Sequence, residues 1–175
     1  MRNSVLPAGE GRGCGIYAAV LLLTLSLPGS SYCEVGSEDE ISAYQKVLEV
    51  DPNNSKAYYN MGTAYLSHGD YPKALSALKK AIDLGEDSAD AYFNLGLAHG
   101  NSAGPLEGAA KAFEQAVAID PNYAKAHVHL GTIYETLGRY SEAEDNLKIA
   151  ARLFRQQGMT EFAEQIEESL KSKTE

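Results

Sequence analysis

Four histidines and two cysteines are the first residues in this chain whose chemistry has to be considered, and their spacing gives them little to do. His127 and His129 are two apart, so on a helix they point in different directions and cannot share a metal as residues four apart could. His127 and His99 fall where large or aromatic residues recur along the chain, which makes them packing residues, and His68 falls between two expected helices. Cys14 and Cys33 both precede the recurring part of the sequence, so that part has no disulfide framework and no thiolate metal site. No serine or cysteine nucleophile comes with a recognisable base motif. The chain is expected to be non-catalytic and to need no cofactor.

Charge narrows the partners. The formal net charge is −9, with no long run of one sign. A nucleic-acid binder needs a basic footprint to displace counterions from phosphates, so that class is excluded. Lys148, Arg152 and Arg155 form a basic stripe at i, i+4 and i+7. It reads either as a docking patch or, more simply, as pairing with Glu161, Glu164, Glu167 and Glu168 further on. With 175 residues and 44% apolar content the chain can build a core.

The first 33 residues are of another class. Arg2 and Arg12 precede the apolar run Ile16 to Leu27, which Pro28 and Gly29 end. The run is shorter than the roughly 20 residues of a spanning helix. It reads as an export signal cut around Ser31 to Cys33, so the protein is expected to be exported, periplasmic or secreted. Glu10 and the long lead before the run keep an uncleaved membrane anchor and an organelle transit peptide as alternatives. Lipidation at Cys33 is disfavoured by Tyr32 and Ser30, which do not fit a lipobox.

Positioning is dictated by a repeated phrase. DPNNSKAYYNMGTAY from Asp51 returns as DPNYAKAHVHLGTIY from Asp120, and AYYNMG at Ala57 recurs as AYFNLG at Ala91 and AHVHLG at Ala126. The unit is 34 residues, with one extra residue in the middle copy, in the loop HGNSAGPLEGA, where Pro105 is expected to start a helix. A first helix carries Tyr58, Tyr92 or His127, then Met61, Leu95 or Leu130, then Gly62, Gly96 or Gly131, then Tyr65, His99 or Tyr134. A second helix carries Ala74, Ala109 or Ala143, then Leu78, Phe113 or Leu147, then Ala81, Ala116 or Ala150. Pro52 and Pro121 close two units, and Glu86 stands where the first complete unit should have its proline.

Over Glu38 to about Gln157 this pattern resembles the tetratricopeptide repeat. The resemblance implies an all-α fold, a right-handed α-solenoid of helix-turn-helix pairs with a C-terminal capping helix. The expected divisions are 1–33 as signal or anchor, 34–54 as an acidic lead-in with an orphan helix, repeats at 55–88, 89–123 and 124–157, and a cap at 158–175. Steric reasoning puts each glycine opposite an alanine of the second helix, so that the two axes come close. Met159, Ala163, Ile166 and Leu170, with Phe162, give the last helix one apolar side, as a cap on a stacked array needs.

The family's ligand-facing positions imply a concave groove. Carried onto this sequence they are Lys56, Tyr59, Asn60 and Thr63, then Asp90, Phe93, Asn94 and Leu97, then Lys125, Val128, His129 and Thr132. The lining is an apolar strip with polar margins, whose asparagine amides can donate to and accept from a peptide backbone. Family members that hold a carboxylate terminus use lysines and asparagines at fixed positions. Here the corresponding fifth residue is Tyr59, Phe93 or Val128, so such a clamp is not expected. The implied function is an adaptor or assembly factor binding a peptide segment of a protein partner, with membrane contact only through the N-terminal segment. The alternative is an accessory subunit that docks by its convex surface.

Overall fold

Asp51-Pro52 and Asp120-Pro121 end helices because proline lacks an amide proton and pushes the residue before it into extended backbone. A computed structural model describes residues 37–172, and within them the chain is all helix and connection. The helices are α1 (Ser37–Val50), α2 (Ser55–Ser67), α3 (Tyr71–Asp83), α4 (Ala89–Asn101), α5 (Glu107–Ile119), α6 (Ala124–Thr136), α7 (Tyr140–Gln156) and α8 (Thr160–Lys171). The apolar run, both cysteines and the expected cut site lie outside the described residues.

Starts and stops follow side-chain chemistry. Asn54 caps α2 by accepting from the Ala57 amide at 2.9 Å, and Ser88 caps α4 by accepting from the Ala91 amide at 3.2 Å. After α2 the Gly69 backbone turns left-handed at φ 72°, which lets the Asp70 amide reach back to the Tyr65 carbonyl at 2.9 Å. Gly138 does the same after α6, with the Arg139 amide on Tyr134. The missing proline at Glu86 is explained by the same device, since Gly85 at φ 97° already ends α3. In the middle unit Ser102 stays extended and the loop runs on, so Pro105 lies ahead of α5, which starts at Glu107; the expectation that Pro105 would open the helix is corrected.

Helices pair as α2 with α3, α4 with α5 and α6 with α7, and each pair leans on the next through α3–α4 and α5–α6 contacts. α1 rests on α2, and α8 on α7. One cluster joins Ala74, Leu78 and Ala98. A larger one joins Ala109, Ala110, Phe113, Leu130, Ile133, Tyr134 and Ala143. The core thus runs along the stack, as nearest-neighbour packing in a repeat array requires. Coverage differs at the ends. Ala163 of α8 is fully buried and Phe162 meets Phe154 at 5.7 Å, whereas Val50 of α1 is 88% exposed.

The glycines meet a different partner from the expected one. A Cβ at Gly62 would lie 2.7 Å from Leu78 Cγ, one at Gly96 2.6 Å from the Phe113 ring, and one at Gly131 2.8 Å from Leu147 Cγ. The bulky residue of the second helix sits on each glycine; the expected alanine comes close at Gly131, where the Ala143 carbonyl oxygen would lie 3.2 Å from an added Cβ. Ala74, Ala109 and Ala143 are all buried in the same clusters.

Gly96→Ala gives a sharp test. Alanine should favour the helix by about 1 kcal/mol, but overpacking costs about 1–3 kcal/mol, and Phe113, only 2% exposed, has little room to retreat. The expected result in denaturant titration is a net loss of stability of up to about 2 kcal/mol, partly recovered when Phe113→Leu is added. A stabilised single variant would contradict the contact.

Candidate partner-binding site

The twelve groove positions recur at i, i+3, i+4 and i+7 on α2, α4 and α6, a spacing that keeps each set on one side of its helix. The structure ties the first two sets together. Asn94 donates its amide to the Tyr59 hydroxyl and to Thr63 Oγ1, both at 3.3 Å, and Thr63 in turn donates to the Tyr59 carbonyl at 3.0 Å. Lys56 Nζ lies 4.8 Å from the Tyr59 ring centre and 3.9 Å from Glu86. Tyr59, Asn60, Phe93, Asn94 and Leu97 are all half-buried, and Lys56, Asp90 and Lys125 are exposed.

Between α4 and α6 the join is aromatic. Phe93 lies 4.9 Å from Tyr123, 5.6 Å from Phe113 and 5.4 Å from His129, which meets it edge-on. His129 also stacks on Phe113 at 5.3 Å. Tyr123 donates its phenol proton to Asp90 Oδ1 at 2.8 Å. Burial, then the charge of Asp90, raises the Tyr59 phenol pKa, and burial with the Asp90 bond raises that of Tyr123 further, so both stay neutral at ordinary pH. Burial and, secondarily, Lys125 push His129 down to about 4.

Two of the twelve positions are not on an open surface. Val128 and Thr132 are 9% and 7% exposed, and the Thr132 hydroxyl is spent on the Val128 carbonyl at 3.0 Å. α6 is the most enclosed of the three first helices, so the accessible strip belongs to α2 and α4 with His129 at its margin. Sequence reasoning missed Tyr123. It stands where Asn54 caps the first unit, and this exchange of a capping side chain for an aromatic was the available signal.

The other candidates stay apart from this face. The His127 ring nitrogens lie 2.9 Å from Asn146 Oδ1 and 3.2 Å from the Pro121 carbonyl, in a buried packing position. No group of three or more His, Cys, Asp or Glu side chains among the described residues could hold a metal ion. None of the described helices is long and apolar enough to cross a membrane. Arg155 makes two contacts with Glu167, at 2.9 and 3.0 Å, and Lys148 pairs with Glu144 of its own helix at 2.6 Å. Together with Arg152 they line an open cavity of about 320 Å³ between α7 and α8.

Models of the tetratricopeptide repeat match residues 59–124 and 102–166, and a TPR repeat model matches residues 38–69. MamA 41-end from Desulfovibrio magneticus RS-1 is 30% identical, with 69% of this chain and 68% of that chain covered, at a TM-score of 0.64. The Arabidopsis OM64 TPR domain is 27% identical over 67% of this chain and 94% of its own, at a TM-score of 0.58. The second TPR of Spaghetti (RPAP3), bound to the HSP90 peptide SRMEEVD, shares the fold at 24% identity and a TM-score of 0.53, over 67% of this chain and 97% of that one. Among curated protein sequences, none matches.

His129 gives the face a measurable pH signature. Its folded-state pKa, about 4, lies below the ordinary 6.5, so as pH falls the unfolded chain takes up the proton first. The contribution is whole above about 6.5 and is lost as pH falls towards 4; burial lowers the His99 pKa as well, with the same sign. Between pH 6.5 and 5, before most carboxylates titrate, His129 should account for a loss on the order of 1 kcal/mol. Denaturant titrations should show a flatter profile over that range for His129→Gln. An unchanged slope would mean that the ring is not enclosed as described.

Proposed function

Since the chain belongs to the tetratricopeptide-repeat family, we propose that this protein-interaction module holds a short segment of a partner protein on the concave strip of α2 and α4 and catalyses nothing itself. The observation that carries this reading is the half-open set Tyr59, Asn60, Phe93 and Asn94. Two aromatic rings from successive repeats offer area that gains from being covered. Asn60 makes no side-chain hydrogen bond to the described residues, and Asn94 uses its amide protons while leaving its carbonyl to accept. Aromatic burial with amide bonding suits an extended segment or a short helix with spaced apolar residues.

As an adaptor or assembly factor, the module would act in an exported or membrane-associated complex. The apolar run Ile16 to Leu27 supports that setting.

The test is calorimetric titration with a partner recovered by crosslinking in the native compartment. Removing an interface anchor typically costs about 2 kcal/mol or more, so Tyr59→Ala with Phe93→Ala should weaken binding at least about 30-fold. Both rings also pack on core clusters, so circular dichroism must show the double variant folded at the assay temperature. Asn60→Ala, without that packing role, should weaken binding several-fold on an unchanged fold. Lys148→Gln with Arg152→Gln and Arg155→Gln should leave binding as it was. The reverse pattern would transfer the function to the α7–α8 side, as in an accessory subunit docking by its convex surface.

A further inference from the structure

The first ligand-facing position of the three units reads Lys56, Asp90, Lys125. An acid is therefore no requirement of the repeat at this place. Asp90 lies in the first turn of α4, where a helix dipole favours a carboxylate, yet α2 and α6 form with lysine there. A dipole role alone leaves unexplained why Tyr123, from the connection before α6, reaches across to Asp90 Oδ1 at 2.8 Å.

One turn along α4 from Asp90, Asn94 bonds the Tyr59 hydroxyl. Two phenols from neighbouring units thus attach to successive turns of one helix, beside an exposed carboxylate. No Lys, Arg or His of the described residues forms an ion pair with Asp90. Lys56 is turned towards Glu86 and the Tyr59 ring. Phe93 and Tyr123 extend the aromatic surface, 4.9 Å apart.

Resting on the groove reading above, we propose that the bound segment carries a lysine or arginine that seats on Asp90 beside the Tyr123 ring. A carboxylate accepts from a cationic head, and a phenol ring attracts it through its π face. The chain's net charge of −9 favours the same sign of partner at longer range. The second oxygen of Asp90 accepts from no described residue, so a ligand covering the strip without a cation would strip water from a charge and return nothing. An acidic segment would be rejected and a basic one selected. That is the opposite preference from the acidic peptide held by the Spaghetti domain.

The experiment uses a displayed library of random short peptides as the probe, selected against the full-length protein, its Asp90→Lys variant and its Phe93→Ala variant. Wild type should enrich peptides with Lys or Arg at a fixed distance from an apolar residue, and Asp90→Lys should enrich Asp or Glu at that place. In fluorescence anisotropy, replacing that basic residue by Glu in a selected peptide should weaken binding to wild type at least about tenfold. Most of the loss should return on Asp90→Lys. If selected peptides lose affinity for Phe93→Ala while their charge preference ignores position 90, the groove stands and the cation subsite is overturned. If no peptide is enriched, or Phe93→Ala binds them as wild type does, the groove reading fails and takes the subsite with it.

Discussion

Everything in this chain rests on how near the two helices of a hairpin can come. Three times a glycine on the first helix leaves room for Leu78, Phe113 or Leu147 of the second, at distances where even a methyl group would collide. Glycine lowers helix propensity by about 1 kcal/mol, and the close packing offsets it. The same contact recurs in each unit, and each hairpin leans on the next. The first helices then present corresponding residues side by side. The proposed partner-binding strip is in that sense a by-product of the glycine contact.

α4 is the hub of that strip. Asn94 fixes Tyr59 of the preceding unit and Asp90 fixes Tyr123 from the connection before α6, so both phenol rings are held before any ligand arrives. Ordering side chains at an interface costs about 0.5–1.5 kcal/mol for each one immobilised, and a surface already fixed avoids part of that. The half-buried His129 ring, packed against both Phe93 and Phe113, belongs to the same arrangement. Its neutral form is the one the packing tolerates.

The all-α solenoid was legible because its constraints are local and repeated: a phrase that returns at Ala57, Ala91 and Ala126 names helices of one kind. The end of α3 was not readable: Glu86 stands where a proline was expected, and the left-handed turn at Gly85 that replaces it shows only in the structure. What the sequence hid were facts about depth and about neighbours. Periodicity says which side a residue is on, not how enclosed that side becomes, so Val128 and Thr132 looked equivalent to Tyr59 and Thr63 and are buried instead. Likewise the partner of each glycine depends on the offset between paired helices, which no single helix encodes. Tyr123 escaped notice because its neighbours in the chain mark a helix start, while its contacts, Phe93 and Asp90, lie a full unit away.

Site-specific photocrosslinking tests the central claim, that partners meet the inner side of α2 and α4. A photoreactive phenylalanine derivative placed at Asn60 in one variant and at Arg152 in another would report, in the native compartment, which side lies against the partner. The expected result is a crosslink to one protein from position 60, mapping to a short segment with apolar and basic residues, and none to that protein from position 152. A crosslink to the partner from position 152 alone would contradict the account.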